Sequence, residues 1–293
     1  MNDVLFAFGL TVLAGAATGA GGLVAILSRN RNKKFLAICL SIAAGVMLYI
    51  SFVEILGEAF EALESVFGYE TYVAGYGYEY AGHELAYLIT TAAFFAGIAL
   101  MALVDKLISH DDKGIDLLEL KTEKELKETF TNTERQELKR TGIMSAVAIA
   151  VHNFPEGLVT FLAALYNPAL GIAVAIAIAI HNIPEGIAVA APIYYATGSR
   201  SKALLTSILS GLTEPLGALL AFFAWIFLRN LANDLELAVG ISFAAAGGIM
   251  VFVAIHQLLP AAQKYGKHHE VMRWLFAGMG IMALSLIALE FVL

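Results

Sequence analysis

The chain of 293 residues is 59% hydrophobic and 15% charged, with a mean hydropathy of +0.75 and a formal net charge of −7. Too few polar residues remain to cover a soluble domain, which excludes a water-soluble enzyme or a nucleic-acid binder and implies an integral membrane protein. Cys39 is the only cysteine, so neither an internal disulfide nor a thiolate metal cluster can form.

A helix needs about 20 apolar residues to cross the ~30 Å hydrocarbon core of a bilayer. Eight stretches qualify, at residues 4–28, 36–57, 85–108, 142–165, 169–196, 203–228, 237–259 and 272–293. They leave no soluble domain over, so the expected fold is a single all-α membrane domain across 1–293. The first stretch is expected to be retained, because Met1-Asn2-Asp3 carries no basic residue and the run that follows is too long for a signal peptide's apolar core. The segments after spans 1, 3, 5 and 7 hold 17 of the 18 Lys and Arg residues, Arg229 being the exception. By the positive-inside rule, both termini then lie outside the cytoplasm.

Between spans 2 and 3, Glu58, Glu61, Glu64, Glu70, Glu79 and Glu84 surround His83 without a single Lys or Arg. A negative field of this kind would concentrate cations at an outer mouth, although a solvated acidic loop has the same composition. The cytosolic connection 109–141 has mixed charge and Ile115, Leu118, Leu126 and Phe130 at loose helical spacing, so it is expected to be part helix and part loop. His110-Asp111-Asp112 and His268-His269 read more simply as solvated surface than as metal sites.

Spans 4 and 5 carry the chemistry. His152-Asn153-Phe154-Pro155-Glu156-Gly157 recurs as His181-Asn182-Ile183-Pro184-Glu185-Gly186, and 147–158 aligned with 176–187 at an offset of 29 keeps 8 of 12 residues identical. On a helix, i and i+4 share a face, so His152 joins Glu156 and His181 joins Glu185, each pair half of a metal site. Consecutive spans run in opposite directions, so the two copies form an inverted local repeat near the bilayer midplane, as at transporter sites. Glu214-Pro215 adds a third intramembrane carboxylate in span 6. Each proline lacks the N–H that bonds the carbonyl four residues back, which predicts breaks in three helices beside their ionisable residues. Interhelical hydrogen bonding is the bland alternative, but each ionisable group costs about 2.5–3.5 kcal/mol to insert, and such a concentration favours function. Imidazole with carboxylate suits Zn²⁺, with Fe²⁺, Mn²⁺, Co²⁺ and Cd²⁺ as rivals, whereas Mg²⁺ and Ca²⁺ prefer all-oxygen shells.

A doubled His-Asn-x-Pro-Glu-Gly in consecutive spans of an eight-span chain, followed by Glu-Pro in the next, resembles the ZIP family of divalent metal transporters, and within it the bacterial zinc-uptake branch. The resemblance implies a two-metal centre. His152, Glu156, His181 and Glu185 would form one position, with Met47 of span 2 as a soft ligand, and Asn153, Asn182 and Glu214 the other, with Glu156 and Glu185 shared. It also implies a homodimer in the cell membrane, in which spans 1, 4, 5 and 6 move against spans 2, 3, 7 and 8. Gly15, Gly19, Gly21 and Gly22 would allow span 1 to pack closely in the moving group.

Three carboxylates leave two divalent ions undercompensated. Glu54 is the candidate for a further anion, because Met47, Ser51 and Glu54 fall at i, i+4 and i+7 on one face of span 2. The alternative places Glu54 simply at the outer helix end. The chain departs from the family in lacking a His-rich cytosolic run and in having Gln257 where relatives often carry Glu. The resulting expectation is an importer of Zn²⁺ and related divalent cations that carries no resident cofactor. An intramembrane metal hydrolase or a metal-sensing receptor without transport are the rivals, and the absence of His-Glu-x-x-His weighs against the hydrolase.

Overall fold

A computed structural model describes residues 2–27, 32–67, 69–73, 77–110, 130–227 and 232–291. Among them, eight helical segments are long and apolar enough to cross a membrane. Span 1 is α1 (Asn2–Leu27). Span 2 is α2 (Lys33–Ile50), a π-helical turn (Ser51–Ile55) and α3 (Leu56–Phe67). A hairpin of β1 (Tyr69–Val73) and β2 (Gly77–Ala81) leads to span 3, α4 (His83–His110). Spans 4 and 5 are α5 (Asn132–Tyr166) and α6 (Pro168–Thr197). Span 6 is divided into α7 (Arg200–Gly211) and α8 (Thr213–Phe227). Span 7 is α9 (Ala232–Val253), a second π-helical turn (Ala254–Leu258) and α10 (Leu259–Tyr265), and span 8 is α11 (His268–Glu290).

The helices have sequence-encoded ends. Asn32 caps α2 by accepting from the Phe35 N–H at 2.8 Å. Thr131 and Glu134 form a reciprocal capping box at the start of α5. Asn167 alone joins spans 4 and 5, ending α5 and capping α6 ahead of Pro168. Gly198, at φ 69°, ends α6 in the left-handed region that only glycine occupies without strain.

The fold departs from the sequence expectation in four ways. It is not purely helical: β1 and β2 pair antiparallel, with Tyr69 opposite Ala81 and Val73 opposite Gly77, in a tyrosine-rich segment suited to strands. Span 2 continues to Phe67 rather than stopping at 57, because Ala59 and Leu63 are buried on one face while glutamates occupy the other. Span 4 begins at Asn132 rather than 142, because Phe130 and Leu138 are buried and the capping box starts the helix there. Of the expected loop 109–141, residues 111–129 lie outside the described residues, as does Arg229. Finally, α5 and α6 run unbroken through Pro155 and Pro184, and only span 6 is interrupted, at Leu212. A single missing bond is tolerated where neighbouring turns and tight packing hold the helix. Pro215 sits in the first turn of α8, where its absent N–H costs nothing.

Spans 1, 4, 5 and 6 pack on one another, as do spans 2, 3, 7 and 8, with span 4 also meeting span 7 and span 5 meeting span 2. The start of α5 is tied outward to three helices. Glu134 pairs with Lys33 at 2.6 Å, Glu137 with Lys264, and Arg140 with Asp105 at 2.8 Å. Large side chains such as Leu13, Leu88, Phe276 and Leu284 are exposed on outer helix faces, the surface that lipid would cover.

Candidate metal centre

The i,i+4 spacing of the repeat does what helical geometry requires: in each copy it turns His and Glu to the same side. His152 Nε2 lies 2.8 Å from Glu156 Oε1 within span 4, and His181 Nε2 of span 5 reaches the same oxygen at 2.8 Å. Glu185 Oε1 lies 3.9 Å from His152 Nε2. One ligand atom each from His152, His181 and Glu185 lies within 4.8 Å of the others, so a small inward shift would bring all three onto one cation. All four residues are at most 3% exposed, in helices of membrane-crossing length, so their polarity is not explained by solvent contact.

Glu214 completes a second group. It is fully buried, and the charges acting on it are those of Glu156 and Glu185. Asn182 Nδ2 donates to Glu214 Oε1 at 2.5 Å and to the Ala14 carbonyl at 3.1 Å. Asn153 Nδ2 donates to the Ser210 carbonyl at 3.4 Å and to Thr18 Oγ1 at 3.5 Å. Both amides thus spend their donors on surrounding oxygens, leaving Asn153 Oδ1 and Asn182 Oδ1 buried without a hydrogen-bond partner among the described residues. Both oxygens of Glu185 and one each of Glu156 and Glu214 are in the same condition. A buried pocket rich in unsatisfied acceptors is costly for an apoprotein and is what a hard or borderline cation seeks.

The backbones approach closely at the repeat's glycines. A Cβ on Gly157 would overlap the Glu214 carbonyl, and one on Gly186 would overlap the Thr18 carbonyl. Glycine at the end of each motif therefore brings spans 6 and 1 against the Glu-bearing turns.

The structure brings together seven of the sequence-predicted residues: His152, Asn153, Glu156, His181, Asn182, Glu185 and Glu214. It places the other two on span 2. Met47 is fully buried in the main apolar cluster, and half-buried Glu54 lies in the first π-helical turn, where its charge acts on Glu58. Sequence reading missed the part played by span 1. Thr18 and Ala14 contact the asparagines, but a threonine in an apolar run gives no signal of its own.

A family model described as ZIP Zinc transporter matches residues 4–288. The chain is similar to the zinc transporter ZupT of Clostridium perfringens, at 46% identity over 98% of this chain and 97% of that protein. It is also similar to those of Nitratidesulfovibrio vulgaris, at 47% over 98% of each chain, and Oceanobacillus iheyensis, at 44% over 99% of this chain and all of that protein.

Proposed function

Because this chain belongs to the ZIP zinc transporter family, we propose that it imports Zn²⁺, and with it related divalent cations such as Fe²⁺, Mn²⁺, Co²⁺ and Cd²⁺, across the cell membrane into the cytoplasm. The observation that carries this reading is the convergence of two buried His and three buried Glu, several of their oxygens unsatisfied, inside helices of membrane-crossing length. Membership of a zinc transporter family favours transport over a water-activating hydrolase, which would also need a general base outside the metal-ligand set.

The cargo ion has two positions in this reading. His152, Glu156, His181 and Glu185 hold the first, joined by Met47. Asn153, Asn182 and Glu214 hold the second, with Glu156 and Glu185 shared. Glu54 stands on the approach, and Glu54→Gln is expected to alter transport kinetics. The distribution of Lys and Arg supports extracytoplasmic termini. Matched contacts made by Asn153 and Asn182 with spans 6 and 1 support the inverted repeat. The division of helices into 1, 4, 5, 6 and 2, 3, 7, 8 supports movement of the first group against the second within a homodimer.

The test is Zn²⁺ uptake into proteoliposomes holding the purified protein, with Cd²⁺, Mn²⁺ and Fe²⁺ as competitors. Saturable uptake by the wild type that disappears in Glu156→Ala is the expected result. Metal binding without flux would overturn transport and favour a sensor, and metal-dependent cleavage of lipid or peptide would favour a hydrolase.

A further inference from the structure

Contacts among spans 1, 4, 5 and 6 come in matched pairs. Gly157 meets the carbonyl of Glu214, and Gly186, its equivalent in the second copy, meets that of Thr18. Gly217 meets the carbonyl of Phe154, and Gly21 meets that of Ile183, again equivalent positions in the two copies. Asn153 donates to Ser210 and Thr18, and Asn182 donates to Ala14 and Glu214. Each contact turns into its partner when the two motif copies are exchanged and span 1 is exchanged with span 6. The exchange sets Ala14 on Ser210, Gly21 on Gly217 and Thr18 on Glu214. Thr18 therefore stands to Asn153 as Glu214 stands to Asn182, with a neutral hydroxyl where the other half of the centre has a carboxylate.

Thr18 is fully buried. A hydroxyl at such a site costs more to bury than the methyl that would fill the same space, unless its oxygen is used. Here it is used on the amide of Asn153, whose Oδ1 is left without a hydrogen-bond partner among the described residues.

We propose that Thr18 is a positioning residue of the second metal position: its hydroxyl holds the Asn153 amide so that Oδ1 is offered to the cation, and its neutrality keeps the second ion loosely bound. The inference rests on the two-position reading above and deepens it. Were the two halves alike, four carboxylates would balance two divalent ions, but with threonine at position 18 only three face a charge of +4. The second ion is then the one ready to leave, which suits a transporter better than a store.

Three variants test this. Thr18→Ser keeps the hydroxyl, and its KM for Zn²⁺ uptake is expected to lie nearer the wild-type value than that of Thr18→Val. Thr18→Val keeps the shape but loses the acceptor, and its KM for Zn²⁺ uptake is expected to rise about fivefold, the loss of one hydrogen bond. Thr18→Asp, close in volume, is expected to tighten the second equivalent of Zn²⁺ by about tenfold in equilibrium dialysis and to slow turnover. A purely structural role would weaken both equivalents together in Thr18→Val. That result, a wild-type KM in Thr18→Val, or an unchanged second equivalent in Thr18→Asp would each overturn the proposal. If these arms fail while Glu156→Ala still abolishes uptake, transport stands and only the role of Thr18 falls.

Discussion

Gly157 and Gly186 end the two motif copies, and each lies against the backbone of a facing helix rather than against a yielding side chain. Gly157→Ala or Gly186→Ala is expected to force those helices apart, costing about 1–3 kcal/mol of stability as overpacking generally does and displacing the carboxylate one residue earlier. Gly9→Ala, where nothing lies within 4 Å of an added Cβ, is the control and should leave the melting temperature in detergent unchanged. The motif's chemistry was legible in the sequence because His and Glu at i and i+4 can only share a helix face. The partners of Asn153 and Asn182 were not legible, since three of the four are backbone carbonyls or a threonine on helices distant in sequence.

The two π-helical turns belong to spans 2 and 7 and contain Glu54 and Gln257. Hydropathy does not register a widened turn, so neither was predicted, although Pro260 follows the second closely and Ser51 Oγ bonds the Met47 carbonyl at the first. The structure supplies a reason for glutamine at position 257. Its Nε2 donates at 2.7 Å to Asp105 Oδ1, the oxygen that also accepts from Arg140. Gln257→Glu would set a second carboxylate against Asp105 and is expected to lower the melting temperature. Arg140→Ala should cost about 1–3 kcal/mol, because the largely buried Asp105 loses its charged partner. Lys264→Ala removes a solvent-exposed pair and should change stability by less than about 1 kcal/mol, which the same melts would register.

At the scale of the molecule, eight spans and their order followed from hydropathy alone, since a bilayer demands about 20 apolar residues per crossing. Their true ends did not, because Glu58, Glu61 and Glu64 on span 2 and Glu134 and Glu137 on span 4 look like loop residues until burial of Ala59, Leu63 and Leu138 on the opposite faces is seen. The β-hairpin escaped because its residues were read for their charge rather than for strand propensity. One junction has a further bearing on how the protein comes into being. Asn167 alone links the two helices that carry the four His and Glu proposed for the first ion position. With virtually no loop to close, this helical hairpin carries the smallest loop-closure cost of the helix pairings whose connections are among the described residues. During synthesis its two helices can meet before spans 6, 7 and 8 exist. The first ion position would then predate the rest of the transport pathway, and a nascent chain halted after Thr197 should already hold His152 and His181 side by side.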